Sequence, residues 1–266
     1  MINRICDIRE KVRLKKPLIH CITNPISINQ CANAILSVGA KPIMAEHPME
    51  VHEITATADA LMLNIGNITD ARLESIRISL ETAKEKDIPV LLDVVGIACS
   101  GFRRRYIMDL LSLAMPDVIK GNYSEIMALC NVDYSSSGVD AEPGIGVGCI
   151  TKAVSELATR SGGIILATGQ TDIITDGKTT VYVKNGTYQL ATVTGTGCML
   201  GSLCSAFMTS AVPMDAVVSA CVYFGICGEL ARTNSGNGSF MVNLMDRMTI
   251  LKNDEIARYM NVEELK

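Results

Sequence analysis

The sequence lacks the features that mark several common classes of protein. Its formal net charge is only -4, and its densest basic run is Arg103-Arg104-Arg105, which begins an amphipathic segment typical of a solvated helix face. The charged N-terminal stretch 1–18 has no apolar signal core, and no run of about 18 uncharged apolar residues follows. We therefore expect no nucleic-acid partner, no membrane partner or spanning helix, and a cytoplasmic protein.

The cysteines lack the spacing of a metal site or a disulfide framework. None of the ten pairs as Cys-x-x-Cys, and only three scattered histidines accompany them. A 266-residue chain with 48% hydrophobic residues has a large core and does not need cross-links. We expect most of these thiols to be small buried hydrophobic side chains in a reducing compartment.

What the sequence does contain is a regular alternation of short apolar runs and helix-period runs. The predicted strands cover residues 17–23, 41–45, 59–66, 88–96, 116–122 and 162–169. Predicted helices cover 1–18, 27–39, 70–87 with Asp70 as N-cap, 102–115, 123–130 and 148–162. This alternation is typical of a parallel sheet covered on both faces. No repeat or linker divides the chain, so we predict a single domain over residues 1–266.

The C-terminal half departs from that alternation. We expect the polar, glycine-rich segment 132–148 to be a long loop and a candidate flap. Residues 171–186 predict a hairpin that turns at Asp176-Gly177. Helices are predicted at 197–211, 216–233 and 238–251. The first two are apolar nearly all round, so we expect them to be buried in the core of the domain. The alternative is that they are buried at a subunit interface.

Polar residues and glycines lie at or just beyond the ends of most of the predicted strands. Ligands of open parallel sheets bind beyond the carboxyl ends of the strands, so these residues are candidates for one site. They are Asn24, Met44, Asn64, Gly66, Asp93, Gly96, Lys120, Asn122, Glu125, Thr168 and Gly169.

The turn Thr194-Gly195-Thr196-Gly197-Cys198 completes this edge. Its glycines allow positive φ and close approach to a ligand, and successive N–H groups at a helix start attract an anion. The turn matches neither the P-loop nor G-x-G-x-x-G. The pattern alone leaves two interpretations open, an anion site and a plain helix start.

Residues 120–126 add complementary chemistry. Lys120 can neutralise a phosphate, and Asn122 and Glu125 share a helix face, where a glutamate can hold Mg²⁺ through water. Asn122 and Glu125 also fit a capping box, so a purely structural role stays open.

Five segments, taken together, resemble the hydroxyethylthiazole kinases of thiamine salvage. They are CITNPISINQCANAILSVGAKPIMAEHPMEV (21–51), LNIGNIT (63–69), GNYSEI (121–126), ATGQTDIITDG (167–177) and TGTGCMLGS (194–202). The order matches that of the family from about residue 12 to the C-terminal helices. Relatives in the wider ribokinase-like superfamily carry an aspartate where Cys198 stands.

The resemblance implies an α/β protein, a ribokinase-like three-layer α/β/α sandwich with a mostly parallel central sheet. It implies Mg²⁺-dependent transfer of the ATP γ-phosphoryl group to the primary alcohol of hydroxyethyl-methylthiazole. A homotrimer with the thiazole pocket between subunits is also implied.

The resemblance, together with the chemistry of the strand ends, of residues 120–126 and of the turn 194–198, predicts four groups of site residues. Those for catalysis are Gly195, Thr196, Gly197 and Cys198, and those for the thiazole are Met44, Gly195, Asn24, Asn64 and Gly66. Those for the nucleotide are Lys120, Asn122 and Thr168, and those for the metal are Asp93 and Glu125.

The sequence departs from the family at two places. The family usually reads D-P-V-G-x-G-A where this chain has Asp93-Val94-Val95-Gly96-Ile97-Ala98-Cys99, which predicts an altered loop. Lys120 replaces an arginine, so we expect looser nucleotide contacts because lysine lacks the bidentate fork.

Cys198 raises the question of its chemical role. A helix N-terminus lowers a thiol pKa, so we expect a lowered pKa for Cys198 and a role as weak base or orienting group. The loose transition state of phosphoryl transfer demands no strong base. Three alternatives stay open: a kinase acting on hydroxymethylpyrimidine, a nucleotide-binding regulator that has lost catalysis, and a coenzyme-repair dehydratase of the same fold.

Overall fold

A computed structural model describes residues 1–130 and 147–265. The predicted flap, 132–148, lies outside the described residues except for its last two positions, which begin a helix.

The strands of the described residues form one sheet. They are β1 Leu18–Ile22, β2 Lys41–Ile43, β3 Ala60–Asn64, β4 Val90–Asp93, β5 Val118–Asn122, β6 Ile164–Thr168, β7 Asp172–Thr175, β8 Thr180–Val183 and β9 Val262–Leu265. Their order is β2-β1-β3-β4-β5-β6-β7-β8-β9. Pairing is parallel from β2 to β6 and antiparallel from β6 to β9, so the predicted hairpin at 171–186 is confirmed.

The helices cover both faces of this sheet. They are α1 Ile2–Lys15, α2 Ile28–Ser37, α3 Val51–Thr57, α4 Asp70–Glu85, α5 Gly101–Leu113, α6 Tyr123–Leu129, α7 Val147–Ser161, α8 Thr196–Met208, α9 Pro213–Ala231, α10 Asn237–Ile250 and α11 Asn253–Tyr259, with a 3₁₀ turn at Tyr188–Thr192. The predicted helices are confirmed to within a few residues. The sequence analysis missed α3, α11, the 3₁₀ turn and β9.

Successive residues of a strand point to opposite faces, and β3 shows how this builds three layers. Met62 joins the hydrophobic cluster under α1, α2, α8, α9 and α10. Its neighbours Leu61 and Leu63 join the cluster under α4, α5, α6 and α7. The fold is therefore a three-layer α/β/α sandwich with a mostly parallel sheet, as expected.

Helices α8 and α9 lie in the core, as their composition predicts. Helix α9 is long and apolar enough to cross a membrane, but 78% of its apolar window is buried inside the protein. Six of the ten cysteines are buried, namely Cys21, Cys31, Cys198, Cys204, Cys221 and Cys227. The expectation that most thiols are buried is confirmed.

Two helix starts near the sheet edge test the capping predictions. The N-cap of α4 is Thr69, whose hydroxyl accepts the Arg72 N–H at 3.2 Å, so the prediction of Asp70 was wrong by one residue. The capping box of α6 is confirmed, because the side chains of Asn122 and Glu125 each accept the other's backbone N–H, at 2.8 and 2.7 Å.

Candidate active site

The sheet register brings the candidate residues of β3 to β6 together. Asn64 lies beside Asp93, Asp93 beside Lys120, and Asn122 beside Thr168, as paired positions of adjacent strands. All four strands end at the same edge, so the convergence expected from the sequence is present.

The turn before α8 adopts the conformation that its glycines permit. Gly195 is the N-cap with φ +90°, and its carbonyl accepts the N–H of Met199 at 2.9 Å. The N–H groups of the first helical turn, residues 196–198, have no acceptor within the helix. Gly197 is exposed, so its backbone faces the solvent side of the turn. These features suit an anion site, with the helix dipole adding positive potential.

The hydroxyl of Thr196 has a structural task. It donates to the carbonyl of Leu190 at 2.8 Å, which ties the turn to the preceding 3₁₀ turn. The backbone of Thr196 belongs to the turn, while its side chain holds the turn in place.

A buried ion pair lies beneath the turn. Lys120 Nζ donates to Asp93 Oδ2 at 2.9 Å, and the two side chains are 4% and 1% exposed. Burial alone would lower the pKa of Lys120. The carboxylate of Asp93, and to a smaller extent Cys198, raise this pKa by more than burial lowers it, so the ammonium is charged at pH 7. A Cβ on Gly197 would lie 3.6 Å from Nζ, which places the ammonium directly against the turn.

Cys198 is held by two amide groups. Its Sγ accepts hydrogen bonds from Asn24 Nδ2 at 3.4 Å and from Asn64 Nδ2 at 3.3 Å. Burial and the nearby Asp93 carboxylate raise the pKa of Cys198 to about 11. The expectation of a lowered pKa was wrong, because desolvation and a negative neighbour outweigh the helix N-terminus. Cys198 is therefore a neutral thiol at pH 7.

The two asparagines form a continuous network with Asp93. Asn24 Nδ2 donates to Asn64 Oδ1 at 3.1 Å, and Asn64 Nδ2 donates to Asp93 Oδ2 at 3.1 Å. Gly66 N–H donates to Asn64 Oδ1 at 2.8 Å, and a Cβ on Gly66 would lie 2.9 Å from that oxygen. Asn24 and Asn64 are buried, so their amides support the thiol and the carboxylate beneath the turn.

The carboxylates of Asp93 and Glu125 supply oxygen donors of the type that a divalent cation such as Mg²⁺ takes. Asp93 Oδ1 is buried and has no hydrogen-bond partner among the described residues. Glu125 Oε1 and Oε2 accept the N–H groups of Gly96 and Asn122, both at 2.7 Å, and each oxygen keeps a lone pair for water. Burial and Asp93 raise the pKa of Glu125.

The described residues contain no cluster of three or more side chains that would hold a metal unaided. Mg²⁺ bound through two carboxylates, water and phosphate oxygens matches that donor set.

The altered loop after Asp93 is closed by an arginine that the sequence analysis had assigned to a solvated face. Arg103 donates through Nη1 to the carbonyl of Val95 at 2.9 Å. Gly96 has φ +77°, and a Cβ there would lie 2.3 Å from Nη1 of Arg103. The loop thus keeps a glycine at position 96, where a positive φ and the guanidinium of Arg103 leave no room for a side chain.

Met44 and Thr168 lie at the periphery of this group. Met44 is partly buried and packs against the helical cluster that contains Cys198. Thr168 Oγ1 donates to the carbonyl of Gly121 at 3.3 Å. The structure thus brings Thr168 beside Asn122. Met44 lies on the face of the sheet that is covered by α1, α2, α8, α9 and α10.

A buried histidine holds the segment that follows Met44. His20 Nε2 lies 3.0 Å from the carbonyl of Ala45, and Nδ1 lies 2.8 Å from Thr55 Oγ1. A carbonyl only accepts, so Nε2 carries the proton and Nδ1 accepts from the hydroxyl. Burial lowers the pKa of His20, which agrees with a neutral ring. The sequence analysis missed this residue, because an apolar strand gives no signal for a polar partner.

Comparison with known proteins decides what this arrangement belongs to. The model of the hydroxyethylthiazole kinase family matches residues 9–254. The chain belongs to the hydroxyethylthiazole kinase family. Members of this family are named as kinases, so this membership shows that the chain is a phosphotransferase.

Relatives and solved structures agree with this family. Hydroxyethylthiazole kinase 2 of Clostridium botulinum is 44% identical over 264 residues, 96% of this chain and 98% of the relative. A hydroxyethylthiazole kinase protein of Pyrococcus horikoshii has a TM-score of 0.91 at 36% identity, over 99% of this chain and 100% of its own.

A more distant structure bears on the fold only. A ribokinase-like superfamily protein of Enterococcus faecalis has a TM-score of 0.62 at 14% identity, over 87% of this chain and 86% of its own. The fold is therefore ribokinase-like, as the resemblance implied.

Proposed function

We propose that this chain transfers the γ-phosphoryl group of ATP to the primary alcohol of hydroxyethyl-methylthiazole, in thiamine salvage. Family membership supports the reaction class. The observation that carries the proposal is the position of the Lys120 ammonium against Gly197, with Cys198 in the first turn of the same helix. Positive charge and backbone N–H groups meet there at one point of the sheet edge.

In this proposal the turn at 195–198 binds the migrating phosphoryl group. The alcohol oxygen bonds to the γ-phosphorus while the bond to the β–γ bridging oxygen breaks, and ADP leaves. The proton of the alcohol passes to the phosphoryl oxygens late in the step, because the transition state is loose. Preorganised donors and charge therefore lower most of the barrier.

Asp93 and Glu125 would hold Mg²⁺ together with water and the phosphate oxygens. The ion, when bound, neutralises phosphate charge that builds on the leaving group. Lys120, Asn122 and Thr168 are proposed to contact the nucleotide. The thiazole side of the site, the part that would contact the alcohol substrate, is proposed to consist of Met44, Gly195, Asn24, Asn64 and Gly66. The two buried asparagines act there through Cys198, to which both donate a hydrogen bond.

We also propose that the protein is cytoplasmic, folds as one domain over 1–266, and assembles as a homotrimer with the thiazole pocket between subunits. Family resemblance alone supports the trimer. Sedimentation velocity on the intact protein tests it, and a monomer at micromolar concentration would contradict it.

A coupled ADP-release assay tests the reaction itself. We expect turnover with hydroxyethyl-methylthiazole, ATP and Mg²⁺, and no comparable turnover with hydroxymethylpyrimidine. Turnover of the pyrimidine alcohol alone would assign the chain to a different kinase activity. Tight ATP binding without turnover of either alcohol would indicate a regulator.

The role of Cys198 has its own prediction. Because the thiol is neutral at pH 7 and its pKa is about 11, we expect it to orient the alcohol, so kcat stays flat between pH 7 and 9. A thiolate base would instead raise kcat about tenfold per pH unit in that range, since the thiolate fraction rises with pH up to the pKa.

Substitutions at the same position check this role. We expect Cys198→Ala to lower kcat on the order of tenfold to a hundredfold, because the alcohol loses a group that orients it. Cys198→Asp should keep activity, because Asn24 and Asn64 would donate to its carboxylate as they donate to sulfur. Full activity in the alanine variant with none in the aspartate variant would refute the assignment.

A further inference from the structure

Arg72 is a buried cation that contacts two separate loops. It lies in the first turn of α4, and its side chain is 5% exposed. Its Nε and Nη2 both donate to Glu46 Oε2, at 3.0 and 2.8 Å, and its Nη1 donates to the carbonyl of Asn67. One guanidinium thus holds the loop after β2 and the loop after β3.

The same helix makes a second contact to the first of these loops. Ser75 Oγ, one turn further along α4, donates to the carbonyl of Glu46 at 2.8 Å. Thr69 caps the helix through the N–H of Arg72, so the guanidinium projects from a fixed helix start. Asn67, the other partner, has φ +48°, a conformation that few non-glycine residues adopt without support.

Sheet topology explains why such a link matters. Strand β1 lies between β2 and β3 in the sheet, so no ladder hydrogen bonds join β2 to β3. The loops that leave them, 44–50 and 65–69, carry Met44 and Gly66, which are on the proposed thiazole side. Arg72 supplies a connection between these two loops that the sheet itself does not make.

We propose that Arg72 is a positioning residue that locks loops 44–50 and 65–69 together and so presets the acceptor pocket. This rests on the proposed function, because it assigns the pocket to the alcohol substrate. Arg72 touches neither the turn at 195–198 nor Lys120 among the contacts of the described residues. Its effect therefore falls on acceptor binding rather than on the phosphoryl step.

The physical reason is the population of the binding-competent pocket. If the two loops move independently, the binding-competent arrangement of the pocket is populated for only a fraction of the time. The apparent affinity for the acceptor is then the intrinsic affinity multiplied by that fraction. Charge-assisted hydrogen bonds from a buried guanidinium favour one arrangement of both loops at once. Their loss leaves each loop to its own fluctuations.

Kinetics of matched arginine variants test the proposal. For Arg72→Ala we expect KM for the thiazole alcohol to rise on the order of tenfold, with kcat and KM for ATP within about twofold of wild type. Arg72→Lys should lie between, since lysine keeps the charge without the fork. Arg77→Ala is the control, because Arg77 lies on the same helix and forms an exposed ion pair with Glu81, at 3.5 Å.

Hydrogen–deuterium exchange gives a readout that needs no substrate. We expect peptides covering 44–50 and 65–69 to exchange faster in Arg72→Ala and to be unchanged in Arg77→Ala. Wild-type protein without thiazole turnover would refute the proposed function and leave this exchange result standing.

Two results would overturn the proposal itself. One is faster exchange in a single loop or in neither. The other is an equal rise of both KM values with no rescue by lysine, which indicates general destabilisation.

Discussion

Lys120→Met is expected to lower kcat by about 10²–10³ and to destabilise the fold by about 3–5 kcal/mol. The kinetic loss follows from removing a preorganised charge at the turn that holds the phosphoryl group. The loss of stability follows because Asp93, 1% exposed, would remain as an uncompensated buried carboxylate. Steady-state kinetics and urea unfolding measure the two effects separately.

The double variant Asp93→Asn/Lys120→Met separates charge pairing from catalysis. Two neutral residues leave no unpaired charge, so we expect most of the lost stability to return, while kcat stays at or below that of the single variant. The amide oxygen introduced at position 93 can still accept from Asn64, as the aspartate does at 3.1 Å. Recovered activity in the double variant, or unchanged stability in the single one, would contradict this account.

Gly195→Ala is expected to reduce kcat by about 10², because a displacement near 1 Å of the turn misplaces the donors. Gly195 has φ +90°, and a Cβ there would lie 3.1 Å from Ser27 Cβ, so the turn or Ser27 must shift. Stability should fall by about 1–2 kcal/mol from the backbone conformation alone. Kinetics with saturating substrates measure the first effect and thermal unfolding the second.

Gly162→Ala is the matched control for that substitution. Gly162 has φ +70°, and no heavy atom of the described residues lies within 4 Å of a Cβ added there. It should show a similar loss of stability with unchanged kcat, since it ends α7 away from the turn. If both alanine variants kept full activity, the turn at 195–198 would have no catalytic role.

Local sequence patterns were sufficient to predict most of the architecture. Alternating apolar runs placed β1 to β8, and helix-period runs placed most helices, because both patterns reflect which face of an element is buried. The missed elements are short: α3, α11, β9 and the 3₁₀ turn. Strand β9 forms only by pairing with β8, which lies about 80 residues away in the chain.

The site was predictable in position but not in chemical state. Parallel strands end at one edge by topology, so residues at the carboxyl ends of β3, β4, β5 and β6 had to meet. The pKa of Cys198 was mispredicted, because the helix start is visible in the sequence, whereas the burial of the thiol and the Asp93 carboxylate beside it are not. The roles of His20, Arg72 and Arg103 were missed for the same reason, since their partners come from other segments of the chain.

The sequence by itself determined the glycine turn at 195–197, the capping box at 122–125 and the alternation that makes a parallel sheet. These depend on backbone conformation and on neighbours within a few residues. Only the tertiary structure decided that Cys198 is a neutral thiol, that Lys120 is paired with Asp93, and that Arg72 joins two loops. Burial and the distance between charges set those properties, and both arise only when distant segments pack together.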